Sequence, residues 1–278
     1  MRPSDIRISV ALVTRNRPDS LARCLESLRA QSIQPFEVVI SDDSDGTLAS
    51  QTRSLAETYR CRYVTGHRRG LYANRNHAAL ACSGTHVRTM DDDHTFPDGH
   101  FEKCAESVRS DPRSVWTTGE VGYIEGQYYG TAPTAFQLGP AGVGYPVSDP
   151  QNNWAIADGS TIYPAEIFHR GLKMEERFGY GSGYLEFGAF LYAHGYRSRC
   201  ILGAAVTHHA GIETVSRQPN TLTIGSHLFA AICFNRYFKR SFSKIARFVT
   251  PLALRVMAQD RALHHQIWAL AQLRWKDK

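Results

Sequence analysis

The chain lacks a Gly-x-Gly-x-x-Gly loop behind its first apolar strand and has no Walker A sequence anywhere, which argues against a nicotinamide dehydrogenase and against a P-loop kinase. Cysteine is sparse. Cys24, Cys61, Cys82, Cys104, Cys200 and Cys233 are scattered so widely that none forms a Cys-x-x-Cys metal or redox motif, and they read as reduced, mostly buried thiols of a cytosolic protein. No apolar signal segment is found, because Met1-Arg2-Pro3-Ser4-Asp5 leads straight into Ile6. The uncharged run over residues 218–235 contains Pro219, Asn220 and several threonines, so it is a poor membrane span. There is no internal repeat and no low-complexity linker. The expectation is a soluble, cytoplasmic protein.

What is present suits one generous core, or one large domain with an appendage, in 278 residues. Hydrophobic residues make up 42% and charged ones 21%, an ordinary globular balance. Lys and Arg total 32 against 26 Asp and Glu, a net charge of +6 that favours anionic partners.

Ile6, Ile8 and Val10-Ala11-Leu12-Val13 predict a buried first strand, ending at Thr14-Arg15-Asn16-Arg17. Pro18 and Asp19 open a helix in which Leu21, Leu25 and Leu28 share one face. Strands follow at residues 37–41, 61–65 and 86–90, with helices at 47–59 and 72–82, the latter ended by Ser83-Gly84. Residues 102–109 read as helical and 114–118 as extended; from 119 to 153 the chain turns to Gly, Tyr, Pro and Gln with little periodicity, which predicts a functional loop or lid. A strand at 156–163, helices at 164–172 and 185–194, a strand at 201–207 and a basic helical tail from Thr223 complete the pattern. Strands alternating with helices predict an α/β fold with a mostly parallel, twisted sheet, which binds ligands beyond the carboxyl ends of its strands.

That edge collects the polar residues. Asp91, Asp92 and Asp93 stand directly behind the fourth strand, and three consecutive carboxylates resist burial unless a cation is offered to them. Hard ions such as Mg²⁺ or Mn²⁺ take oxygen ligands and leave positions open for phosphates, so the group predicts a metal–diphosphate site. Thr14, Arg15 and Asn16 end the first strand, and Asp42 and Asp43 the second; these are groups suited to the edge of a base or a ribose. Arg75, within the helix over 72–82, could clamp a diphosphate or lie against a base.

Thr14-Arg15-Asn16-Arg17-Pro18, then Val38-Val39-Ile40-Ser41-Asp42-Asp43-Ser44, then Ala73-Asn74-Arg75-Asn76-His77-Ala78, then Asp91-Asp92-Asp93 with Pro97 resemble the family 2 glycosyltransferases of the A-type fold. The resemblance covers residues 6–110 and implies a Rossmann-like half that binds a nucleotide-diphosphate sugar, usually UDP-linked. It places Asp42 or Asp43 and Arg75 on base and ribose, and Asp91, Asp92 and Asp93 on ribose and Mg²⁺ or Mn²⁺. Its implied metal ligands are Asp91 and Asp93, with His208 and His209 of the Val206-Thr207-His208-His209-Ala210-Gly211 run as the histidine contribution. In the acceptor half the family's Glu-Asp pair falls on Gly183-Tyr184, leaving Glu186. Glu186, or else Asp158, is then expected to act as general base, or the protein binds donor without turning it over. A nucleotidyl or phosphoryl transferase is the other alternative.

Tyr123, Tyr128, Tyr129, Phe136, Tyr145 and Trp154 would suit stacking on a sugar or aglycone, or cover the core. Residues 239–255 mix apolar side chains with Lys239, Arg240, Lys244, Arg247 and Arg255, which suits packing on the same domain, a homodimer, or peripheral contact with the inner face of a membrane. The expected division is a nucleotide-sugar-binding half over 1–114, an acceptor half of the same globule over 115–222 and a helical extension over 223–278. The acceptor is expected to be a glycan, a lipid-linked molecule or a small molecule, with no nucleic acid involved.

Overall fold

The computed structural model describes residues 6–132, 135–209 and 221–276; Met1 to Asp5, Ala210, Gly211 and the start of the uncharged run at Gln218 lie outside it, as does the side chain of Tyr129. Its first third is built from β1 (Ile8–Thr14), α1 (Pro18–Arg29), β2 (Glu37–Asp42), α2 (Gly46–Thr58), β3 (Arg62–Thr65), α3 (Leu71–Ala81) and β4 (His86–Asp91). The two-residue β5 (His94–Thr95) and α4 (His100–Ser110) follow. The strands align as β3-β2-β1-β4-β10-β6-β11-β5, where β6 is Val115–Ile124, β10 is Thr161–Pro164 and β11 is Ser198–His208. β1 runs parallel to β2 and β4, and β11 parallel to β6, while β10 is antiparallel to both β4 and β6 and so joins the two sets. The sheet thus crosses the expected boundary at residue 114 without a break.

Period-two alternation explains why β1 is buried throughout. Val10 and Leu12 face one layer, with Leu21, Leu25 and Leu28 of α1, Ile40 and Met90; Ala11 and Val13 face the other, with Val39, Tyr72 and Ala78. The second layer is the larger. It takes in α6 (Gly183–Ala193), which follows the short α5 (Glu166–His169), and the C-terminal helices α7 (Thr221–Ile232), α8 (Thr250–Gln259) and α9 (Arg261–Arg274). π-helical turns at Cys233–Phe238 and Ile245–Val249 link these last helices. Val249 is buried and Ile245 and Leu252 pack on the same core, so this face of the basic tail is covered by its own chain, whereas Phe242 is 92% exposed.

The stretch expected to be a long loop is largely ordered as strand. β6 turns back into β7 (Gln127–Ala132) through Glu125 and Gly126 at φ 47° and 87°, a two-residue hairpin turn whose positive φ values match strand twist. A small ladder joins β8 (Gln137–Leu138) to β9 (Gly144–Tyr145). Conversely, the strand expected over 156–163 is confined to β10, and the helix over 164–172 to α5.

Candidate active site

The register of the sheet brings three polar strand ends level, with Thr14 beside Asp42 and Val13 beside Asp91. The Thr14 hydroxyl donates to Asp92 Oδ2 at 2.6 Å. Asp42 is fully enclosed: its Oδ1 accepts from the Ser44 amide at 2.8 Å and its Oδ2 from the Tyr63 hydroxyl at 3.0 Å. Asp43 Oδ1 accepts from the Arg68 amide at 2.9 Å. Asn16 takes φ 56°, a left-handed conformation asparagine tolerates, and bridges the first two strand ends: its amide donates to Ser44 Oγ at 2.6 Å and its side-chain oxygen accepts from the Asp45 amide at 3.2 Å. Arg15 stands exposed beside it.

The three aspartates divide their partners. Asp91 is grasped by Arg75 Nη2, at 2.7 and 2.8 Å to its two oxygens; Arg75 is 1% exposed, donates also to the Asp158 carbonyl, and has Nε 3.3 Å from Asp158 Oδ1. The arginine expected against a base or diphosphate therefore lies beneath the aspartates, tying Asp91 to Asp158. Asp92, with no exposed surface, pairs with Arg17 Nη2 at 2.6 Å, and Asp93 with Arg17 Nη1 at 2.9 Å. Arg17 had no role in the sequence reading, although it sits inside the first motif.

Asp93 faces β11. His208 Nε2 lies 3.5 Å from its Oδ2, and donor atoms of Asp93, His94 and His208 all fall within 4.8 Å of one another. Adjacent strand residues point to opposite faces, so His209 turns away: its Nε2 meets Thr95 Oγ1 at 2.8 Å and its ring packs on Tyr123 at 5.1 Å. The structure thus brings Asp93 and His208 together and leaves Asp91 and His209 engaged elsewhere. Buried Asp93 Oδ1 has no hydrogen-bond partner, and a carboxylate beside imidazole is a donor set that fits a divalent cation. Burial opposes the charge on Asp93, but His208, His94 and Arg17 outweigh it and hold the carboxyl well below its ordinary range. Burial likewise opposes the His208 cation, yet Asp93, with Glu120 and Asp91, holds it up at about 9.

Glu186 proves to be placed for another task. It has no exposed surface, and its oxygens accept from Arg274 Nε at 2.7 and 2.8 Å and from Trp275 Nε1 at 2.9 Å, joining α6 to the end of α9. A buried carboxylate sealed by two N–H donors through three contacts cannot receive an acceptor proton, which corrects the expectation for this residue; its partners lie 88 and 89 positions away and leave no local sequence signal. Asp158 is better placed, with 19% of its side chain exposed beside Asp91. Burial pushes its carboxyl up to about 7, with Asp91 and Glu120 adding to the rise against the pull of Arg75. Glu120, from the stretch read as loop, accepts from Ser160 Oγ at 3.1 Å and lies 3.9 Å from His208 Nδ1. Among the aromatic residues, Tyr123 and Tyr128 pair beside His209, whereas Trp154 packs on Tyr192 and Phe238.

A family model described as glycosyl transferase family 2 matches residues 9–172. The uncharacterized glycosyltransferase YwdF of Bacillus subtilis (strain 168) is 30% identical over 105 residues, which are 38% of this chain and 39% of the relative. The chondroitin synthase of Escherichia coli is 28% identical over 106 residues, 37% of this chain and 16% of that one. The matches thus span well under two thirds of either curated relative. Among solved structures, GalNAc-T7 with UDP, GalNAc and Mn²⁺ superposes with a TM-score of 0.69 at 15% identity, over 84% of this chain and 48% of the other. S. aureus TarS (residues 1–349) in complex with UDP-GlcNAc gives 0.61 at 17% identity, over 92% and 74%. At these identities the likeness is one of fold. Among the described residues, no helix is long and apolar enough to cross a membrane.

Proposed function

Since the chain belongs to glycosyl transferase family 2, we propose that it moves a sugar from a UDP-linked donor to a hydroxyl or amine acceptor, with inversion at the anomeric carbon. The observation that carries this reading is the tip of β4, where Arg75 and Arg17 fix Asp91 and Asp92 while Asp93 turns to His208. Solved structures of the same fold that carry UDP with Mn²⁺, or UDP-GlcNAc, support the reading of a nucleotide-sugar donor. Asp93 and His208 would hold Mn²⁺ or Mg²⁺. Such an ion supplies positive charge to a departing diphosphate.

The residues of the chain do the rest. Thr14, Arg15, Asn16 and Asp43 would form the wall for base and ribose, while Asp42, enclosed between the Ser44 amide and the Tyr63 hydroxyl, braces it from behind. Arg75 keeps Asp91 and Asp158 in fixed relation. As the acceptor oxygen or nitrogen bonds to the anomeric carbon, the bond from that carbon to the diphosphate oxygen breaks, and Asp158 takes the acceptor proton. A carboxyl held near neutrality suits that task at physiological pH. The acceptor is a glycan, a lipid-linked molecule or a small molecule; the exposed Phe242, between Arg240 and Lys244, offers a point of contact with an anionic surface in the lipid-linked case.

A thermal-shift panel of UDP-, GDP-, CMP- and dTDP-sugars with and without Mn²⁺ tests the donor, since a ligand of the native state raises its apparent stability. The UDP-sugars should give the cation-dependent shift. Product analysis should then find UDP and a glycosylated acceptor; release of pyrophosphate would refute sugar transfer.

A further inference from the structure

His94 is 1% exposed, yet both its ring nitrogens are buried without a hydrogen-bond partner. Each unmet polar group of this kind forfeits about 1–3 kcal/mol, and native interiors keep few of them without an ion or water to explain it. The backbone is shaped to put the ring there. β5 has two residues, and it pairs antiparallel with the end of β11 so that His94 lies directly opposite His208 and Thr95 opposite Thr207. The ladder continues through the His209 amide, which donates to the Asp93 carbonyl at 2.8 Å. Directly opposed residues project from one face, and the two imidazoles meet edge to face with centroids 5.2 Å apart.

The three donors cluster without hydrogen-bonding well to one another, all within 4.8 Å. His94 Nε2 is 3.9 Å from Asp93 Oδ1 and His208 Nε2 is 3.5 Å from Asp93 Oδ2. Both are too long for good hydrogen bonds; two donors each about 2.1 Å from one ion stand roughly 3–3.5 Å apart, a spacing that His208 meets and from which His94 stands back by a few tenths of an ångström. Asp93 Oδ1, the atom nearest His94, is itself unpartnered. On the far side Gly159 makes room, because a Cβ there would stand 2.5 Å from Asp91 Oδ2 and 2.6 Å from His94 Cε1.

We propose that His94 is a third protein donor to the divalent cation, with Asp93 and His208, and that this set of two imidazoles and one carboxylate selects a transition ion such as Mn²⁺ or Co²⁺ over Mg²⁺. The proposal rests on the cation-dependent part of the function given above and adds to it a ligand and a preference. Mg²⁺ favours oxygen donors and gives up water reluctantly, whereas imidazole nitrogens suit transition ions. Arg75 holds both oxygens of Asp91, and Thr14 and Arg17 hold the two oxygens of Asp92, whereas Arg17 takes only Oδ2 of Asp93 and leaves its Oδ1 unpartnered, so Asp93 is the aspartate with an oxygen to offer. Three protein donors leave open positions on the ion for diphosphate oxygens.

Pulsed EPR of Mn²⁺ on the full chain, with saturating UDP and without it, counts coordinated imidazole nitrogens. Two are expected in the wild type and one each in His94→Asp and His208→Asp. Calorimetry should show Mn²⁺ bound at least roughly tenfold more tightly than Mg²⁺, a margin that His94→Asp narrows as an oxygen replaces a nitrogen. One nitrogen in the wild type, an unchanged count in His94→Asp, or no Mn²⁺ bound with or without UDP overturns the proposal; should His94→Asp fail to fold, the wild-type count decides. Two nitrogens on Mn²⁺ without consumption of any nucleotide sugar would keep this site and discard sugar transfer. Transfer with a single coordinated nitrogen would do the reverse.

Discussion

Replacing Arg274 by methionine keeps much of the side chain's apolar contact but removes the cation that neutralises Glu186. Glu186 has no exposed surface and the Arg274 side chain is 10% exposed, so little water can take the guanidinium's place. Of the three hydrogen bonds to the carboxylate, only that from Trp275 survives. Breaking a buried ion pair on one side costs about 3–5 kcal/mol, and the slight opening at Arg274 favours the lower end. At ~2–4 °C per kcal/mol for a chain of this size, a loss of about 3 kcal/mol should lower the melting temperature by about 6–12 °C. The deficit should depend on pH. Burial already pushes the Glu186 carboxyl above its ordinary range against the pull of Arg274, and without Arg274 that push is unopposed. A carboxyl with a raised folded-state pKa destabilises when ionised, so the variant should recover as pH falls from 8 towards 5 and the group takes up a proton. Glu186→Gln in the same chain should restore most of the loss by removing the unpaired charge. Glu186→Gln alone should leave sugar transfer nearly unchanged. Thermal unfolding followed by circular dichroism at both pH values reads all of this. A fall of under about 2 °C for Arg274→Met, set against the cost of an unpaired buried charge, or abolished turnover in Glu186→Gln with its melting temperature intact, refutes the structural role given to this pair.

Asp158→Asn should lower the transfer rate by about 10²–10⁴-fold, the usual contribution of a general base. Asp158 must be ionised to take a proton, and with its pKa raised to about 7 the wild-type rate should climb through pH 7 and level above it; a flat profile from pH 5 to 9 argues against this role. Gly159→Ala should displace either Asp91 or His94, so Mn²⁺ affinity by calorimetry should drop while the circular dichroism spectrum is kept, and unaltered affinity would show that the corner yields without cost. Thr14→Val removes the 2.6 Å hydrogen bond to Asp92 and should cost about 1.5–3 kcal/mol in urea unfolding, as for a bond to a charged acceptor.

The first third of the chain was legible because its signals are local. The period-two run of β1, the leucine stripe of α1 and the aspartates at the tip of β4 each declare themselves within a dozen residues. The stretch after residue 119 misled because Gly122, Gly126 and Gly130 interrupt the alternation of a hairpin whose turn is marked only by Glu125-Gly126. Glu186 misled for a different reason: its partner arrives from α9, and no local pattern signals an ion pair across 88 positions. The β5–β11 register that separates His208 from His209, and places His94 opposite one of them, is likewise a long-range pairing, invisible until the two strands are seen side by side.

The central claim is that Asp93, together with His208, binds a divalent cation against the diphosphate of a nucleotide sugar. Titrating UDP into the wild type and into Asp93→Asn, with and without Mn²⁺, tests it most directly. Tight binding is predicted only for the wild type with the ion present; equal affinity in its absence, or in Asp93→Asn, contradicts the claim.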